Sequence, residues 1–154
     1  MRRIGLISDT HGLLRPEAIA FLQGCEHIVH AGDICDPRIL DELAAIAPVS
    51  AVRGNNDVGA WARAVPETAL VTLEGLRLYV VHDIADLDID PAAQGVQVVV
   101  CGHSHRPKAE ARDGVWYVNP GSAGPPRFRL PISAAELVVE GGGVTPRIVE
   151  LVKR

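Results

Sequence analysis

The sequence predicts an α/β fold in which two β-sheets pack face to face with helices outside. Three observations predict it. The first third of the chain alternates strand-like and helix-like stretches, the pattern of parallel strands joined by crossover helices. From Ala69 onward, apolar runs are paired across Gly-containing turns, the pattern of hairpins. Together these give about ten strands, more than one flat sheet holds comfortably. The 154 residues read as a single domain, 1–154, with no internal repeat, low-complexity segment or linker.

The elements follow in chain order. Arg3 to Ser8 is a buried strand ending at Asp9. Pro16 suits the first turn of a helix whose face is Ala18, Ile19 and Leu22, and Gly24 ends it. His27 to Ala31 is the second strand. Asp36-Pro37, a cap residue before Pro, starts a helix with an apolar stripe of Ile39, Leu40, Leu43, Ile46 and Ala47. Val49 to Arg53 is the third strand, closed by Gly54. A short helical segment around Trp61 precedes a change of style. Ala69 to Leu73 and Leu76 to Val81 pair over a Glu74-Gly75 turn. Val96 to Cys101 is a buried strand. Pro107 to Arg112 and Val115 to Asn119 form a hairpin over Asp113-Gly114, and Ile132 to Glu140 and Val144 to Val152 another over three glycines. The second half is therefore expected to be mainly antiparallel.

Composition narrows the function. Hydrophobic residues make up 47%, which excludes a disordered chain. The net charge is −4 and no basic tract exists, so nucleic-acid binding has no electrostatic footprint. Apolar runs fall far short of a membrane span. The first strand begins almost at Met1, which leaves no room for a signal peptide. Cys25, Cys35 and Cys101 lack ligand spacing and read as free, mostly buried thiols in a reducing cytoplasm.

Chemistry concentrates where strands end. Val98 to Cys101 runs straight into Gly102-His103-Ser104-His105. Within a strand both rings would share a face; past its end, Gly and Ser let them diverge. Asp9-x-His11, Gly32-Asp33, Gly54-Asn55 and His82 each follow another strand-like run. Singly, each has a plain reading: Asp9 as a turn residue, Asp33 as a cap, Asn55 in a left-handed turn, His82 as a core histidine. Jointly they are seven hard-metal donors at strand ends, where open α/β sheets bind ligands. Carboxylates, an amide oxygen and imidazoles suit Mn²⁺, Fe²⁺, Zn²⁺ or Ni²⁺ better than Ca²⁺. Seven exceed the needs of one tetrahedral ion and suit two ions sharing a carboxylate. His27 and His30 match no such block and read as structural. Arg53 and Arg127 have two readings, a phosphate contact or a surface or packing role, and the second is favoured for each.

The ordered series Asp9-x-His11, Gly32-Asp33, Gly54-Asn55, His82 and Gly102-His103-Ser104-His105 resembles the calcineurin-like metallophosphoesterase superfamily. Val52-Arg53-Gly54-Asn55-Asn56-Asp57 and Asn119-Pro120-Gly121-Ser122 resemble its small bacterial and archaeal phosphodiesterase branch. The resemblance spans nearly the whole chain. It implies a four-layer α/β/β/α sandwich of two mixed sheets flanked by helices. It also implies a cytoplasmic phosphodiesterase that hydrolyses a small phosphate ester with metal-activated water. Two divalent ions, Mn²⁺ favoured, are the implied cofactors. Asp9, His11 and His105 are implied on one, Asn55, His82 and His103 on the other, with Asp33 bridging. Catalytic roles fall on His11, near the leaving group, and on Asn56. The latter occupies the position where the superfamily has a His that protonates the leaving group. A second departure is His82-Asp83-Ile84, where close relatives have His-Gly-His. The acidic run Asp83 to Asp90 is expected on the rim of the site, disfavouring highly anionic substrates. A phosphomonoesterase, or an interaction scaffold like a eukaryotic retromer subunit of similar fold, are the alternatives. Retention of Asn55, His82, His103 and His105 favours catalysis.

Overall fold

A computed structural model describes residues 2–73 and 75–153. Strands β1 (Arg2–Ile7), β2 (His27–His30) and β3 (Val49–Ala51) lie parallel, connected through helices α1 (Pro16–Leu22) and α2 (Pro37–Ala44). Helix α2 starts as its sequence dictates: Asp36 accepts the Arg38 N–H at 3.0 Å, and Pro37 opens the first turn. A short helix α3 (Ala60–Arg63) leads to β4 (Thr68–Leu73) and β5 (Leu76–Val81). The Glu74 half of the expected turn between them lies outside the described residues. Strands β6 (Val98–Val100), β7 (Lys108–Arg112), β8 (Val115–Asn119), β9 (Ile132–Glu140) and β10 (Gly143–Val152) complete the fold.

Two five-stranded sheets result, in the orders β10-β9-β1-β2-β3 and β4-β5-β6-β8-β7. Both are mixed. In the second sheet the central strands β5, β6 and β8 run parallel between two antiparallel edges. This part is less antiparallel than the hairpin pattern suggests, because 82–97 crosses over rather than turning back. The last hairpin leaves the second sheet and pairs β9 antiparallel with β1. The ladders of β3 and β6 are shorter than their apolar runs. Beyond Ala51 the chain bonds irregularly, with Val52 N–H reaching His30 O and Arg53 N–H reaching Pro66 O.

Period-2 alternation sorts the core. Ile4, Leu6, Val29, Leu78, Val80, Val98, Val100 and Leu137 fill the space between the sheets. Their strand neighbours Ile7 and Ile28 point outward, under Leu22, Ile39 and Leu43 of the two helices. A Cβ on Gly5 would run into Leu22 and Cys25, so its absence lets α1 sit close on β1. The outer face of the second sheet, including Tyr79, Val81 and Val99, is covered by Leu87 and Ile89. That fourth layer is thin: one 3-10 turn, Ile84–Asp86, and the turns that follow it. Glu136 of β9, buried, is clamped by Arg3 at 2.6 Å and Arg147 at 2.8 Å, which ties β1, β9 and β10 together. No described helix is long and apolar enough to cross a membrane.

Candidate metal centre

The loops that leave β1, β2, β3, β5 and β6 meet at one edge of the sandwich. They are held in an uncommon backbone conformation. Asp9, His11, Asp33, His103 and His105 all lie at positive φ, between 47° and 70°. Holding a non-glycine residue there costs about 1–3 kcal/mol, and such strain clusters at functional sites. Backbone hydrogen bonds of 2.9 Å fix it: Asp9 N–H to Gly32 O, His11 N–H to Asp33 O, and Gly12 N–H to Ile34 O. The glycines of the sequence blocks allow the close approach. A Cβ on Gly54 would strike Asp33, and one on Gly102 would lie 2.8 Å from Asp9 Oδ2.

Two groups of donors form. In the first, Asp9 Oδ1 lies 3.6 Å from His11 Nε2 and 3.4 Å from His105 Nε2. The other carboxylate oxygen, Oδ2, accepts from Ser8 Oγ at 2.7 Å and from the His103 N–H at 3.1 Å. Asp9 Oδ1, His11 Nε2 and His105 Nδ1 are buried and accept or donate no hydrogen bond. Buried polar atoms without partners are costly. A cation among them would remove that cost.

In the second group, Asp33 Oδ2 lies 3.3 Å from His82 Nε2. His82 Nδ1 donates to Ala31 O at 2.7 Å. A carbonyl only accepts, so the proton of a neutral ring sits on Nδ1 and Nε2 keeps its lone pair, the tautomer a metal ligand needs. Asn55 Oδ1 stands 3.0 Å from that Nε2 and 3.2 Å from His103 Nδ1. Asp33 Oδ2 also lies 3.6 Å from His11 Nε2, so one oxygen faces both groups.

The electrostatics suit cations. Burial alone would raise the Asp9 and Asp33 carboxyls. The close His11 ring and the Ser8 hydroxyl at Asp9, and the His82 ring and the two Asn56 donors at Asp33, outweigh it and hold both below their ordinary values. His11 is raised by Asp9. His82 is raised too, burial being outweighed by Asp33 and the Ala31 carbonyl. The seven residues that the sequence singled out are thus brought together, as two groups of donors of the kind that hold divalent metals.

Other residues hold the loops: sequence reasoning gave Asp57 and Asn119 no role, and read His30 and His27 as structural. Asp57, buried, accepts the Cys35 N–H at 2.7 Å and the Gly54 N–H at 2.8 Å, joining the Asp33 and Asn55 loops. An acid three residues past a turn glycine was the available signal. Asn119 Nδ2 donates to Gly102 O at 3.0 Å and to Ser104 Oγ at 3.1 Å, which fixes the loop of His103 and His105. His30 is fully buried. Its Nδ1 accepts the Gly32 N–H at 3.1 Å, so Nε2 carries the proton toward Thr10 Oγ1 at 3.0 Å. Burial pushes this ring down to about 4. His27 contacts Ser50 Oγ at 2.8 Å, away from the site.

A cleft of about 330 Å³ opens beside the second group, lined by Asn55, His82, His103, Asp83, Asp86 and Asp88. Three acids of the run Asp83 to Asp90 thus border the cleft, and Asp90 does not. Arg53 also borders this cleft, but it is ion-paired to Glu67 at 2.8 Å. Cys25 and Cys101 are buried; Cys35 is exposed, its Sγ 3.8 Å from His11 Nδ1.

The profile of the calcineurin-like phosphoesterase superfamily domain matches residues 1–142. The chain belongs to that superfamily. It is 35% identical to a probable metallophosphoesterase of Methanothermobacter thermautotrophicus, over 95% of this chain and 91% of the relative. It is 33% identical to another from Methanocaldococcus jannaschii, over 82% of this chain and 71% of the relative. Among solved structures, Vps29 of Chaetomium thermophilum superposes with a TM-score of 0.78 at 21% identity, over 97% of each chain. That likeness establishes the sandwich fold. The superfamily uses divalent metals, in keeping with the donor groups around Asp9 and Asp33.

Proposed function

We propose that the protein is a dinuclear-metal-dependent phosphodiesterase of the cytoplasm, a single domain over 1–154 that hydrolyses a small phosphate diester. The observation that carries this reading is Asp33 Oδ2, which faces His11 of one donor group and His82 of the other. Asp9, His11 and His105 would hold one ion and Asn55, His82 and His103 the second, with Asp33 shared. Two divalent ions, Mn²⁺ favoured, would polarise the phosphoryl oxygens and supply a nucleophile from water at neutral pH.

The residues of the chain do the rest. Asp9 and Asp33 carry two of the charges that offset four on the ions, which leaves attraction for an anionic ester. Asp83, Asp86 and Asp88 on the cleft rim limit that attraction. A singly charged diester is therefore preferred to a doubly charged monoester. His11 stands beside both carboxylates, where it would at most be a weak proton donor to a leaving group. Asn56 takes the position of a proton donor but offers only an amide.

The test is turnover of the Mn²⁺-loaded protein. Bis(p-nitrophenyl) phosphate is expected to be cleaved faster than p-nitrophenyl phosphate, and His103→Ala to abolish both activities. A strong preference for the monoester overturns the phosphodiesterase reading. No turnover with any metal, despite metal binding, would favour an interaction scaffold built on the same fold.

A further inference from the structure

The wall on the His11–His105 side of the metal centre is unlike the acidic rim opposite. Segment 124–130 is pinned at its base, where Arg15 Nε donates to Gly124 O at 3.1 Å. The Leu130 N–H closes a turn on Arg127 O at 3.1 Å. At the tip, Phe128 is 87% exposed and held at φ 54°. Phe128, Arg129, Leu130 and Arg106 line a concavity of about 550 Å³, with no acidic residue in its wall among the described residues. Arg106 directly follows His105, and the charge of Arg127 reaches the rings of His11 and His105. Among the described residues Arg106, Arg127 and Arg129 have no carboxylate partner. In a chain of net charge −4, two guanidiniums beside one exposed aromatic ring, with Arg127 acting on His11 and His105, form a local positive field next to the metal centre.

We propose that this concavity binds the nucleotide arm of the diester, its base stacked on Phe128 and its phosphate oxygens met by Arg106, Arg127 and Arg129. The inference rests on the phosphodiesterase reading and names the substrate class. A base needs an aromatic face, and stacking on one is sequence-tolerant. A phosphate-bearing arm needs guanidinium donors in planar forks. A lipid arm would want a long apolar groove and a plain sugar arm hydroxyl-directed acceptors; neither fits a wall of two arginines, one ring and a single leucine. The acidic cleft on the far side then receives the second arm, which is neutral or cationic.

The experiment compares two diesters on the Mn²⁺-loaded enzyme: thymidine 5′-(p-nitrophenyl phosphate) and methyl p-nitrophenyl phosphate. The thymidine ester is expected to have the higher kcat/KM. Phe128→Ala is expected to cut that preference about tenfold or more, through KM, and Phe128→Trp to keep it. Phe128 is almost wholly exposed, so its truncation removes no core contact. Binding gives a second readout that needs no turnover. By calorimetry, thymidine 5′-monophosphate should bind more tightly than ribose 5-phosphate, and the difference should vanish in Phe128→Ala. If neither diester is turned over, the hydrolase reading fails while the calorimetry still decides the subsite. Equal binding of the two monophosphates, or a preference that survives Phe128→Ala, overturns the subsite.

Discussion

Asn56 directs both of its donors at Asp33: its backbone N–H to Oδ1 at 2.8 Å and its side-chain amide to Oδ2 at 3.0 Å. The residue next to a proposed ligand therefore orients the proposed bridge. Partners of ligating carboxylates typically change metal affinity by about 10–100-fold when removed. Asn56→Ala keeps the backbone donor and loses the amide. Its Mn²⁺ affinity, measured by calorimetry, is expected to fall about tenfold with the fold intact by circular dichroism. Unchanged affinity would show that the amide contact is incidental.

The same contact bears on leaving groups. Protonation by a positioned side chain is worth about 10²–10⁴-fold, and an amide engaged with Asp33 supplies none of it. Rates across a series of aryl diesters should fall steeply as the leaving group becomes more basic. Asn56→His should flatten that dependence if the new ring reaches the leaving oxygen. A flat dependence in the unmodified enzyme would mean that His11 or another donor already supplies the proton.

His30 predicts the acid sensitivity of the fold. Its ring sits near 4 when folded, against an ordinary value of 6.5, because burial penalises the cation. The unfolded chain thus binds the extra proton between those values, and unfolding is favoured as pH falls. The contribution is fully present above 6.5 and lost progressively down to about 4, by roughly 3 kcal/mol. Denaturant unfolding of the metal-free protein at several pH values measures it. His30→Gln should be less stable at pH 7 and should show a shallower slope across that window. An identical slope in the variant would assign the acid sensitivity to other groups.

The blocks that meet at the candidate site were legible because chemistry-bearing residues were placed right after strand-like runs, with glycines where the backbone must pass close. Gly54 and Gly102 show why: each abuts a carboxylate from another loop. The two-sheet architecture was legible from strand number and period. What was not legible depends on neighbours distant in sequence. Parallel pairing of β5, β6 and β8 is set by the crossover of 82–97, whose short elements have no helical period. Asp57 and Asn119 look like turn residues until the loops that they join are adjacent in space. For Arg127 a surface or packing role was favoured over a phosphate contact, since nothing in Pro126-Arg127-Phe128-Arg129 signals that the segment returns to His11 and His105.

The central claim is that Asp33 joins two metal sites in one chain. Metal content after loading with Mn²⁺ and desalting, measured by plasma mass spectrometry against protein concentration, tests it most directly. Two ions per chain are expected in the unmodified protein, and loss of both in Asp33→Ala. One ion per chain in the unmodified protein, or two retained in Asp33→Ala, would contradict the shared-carboxylate centre.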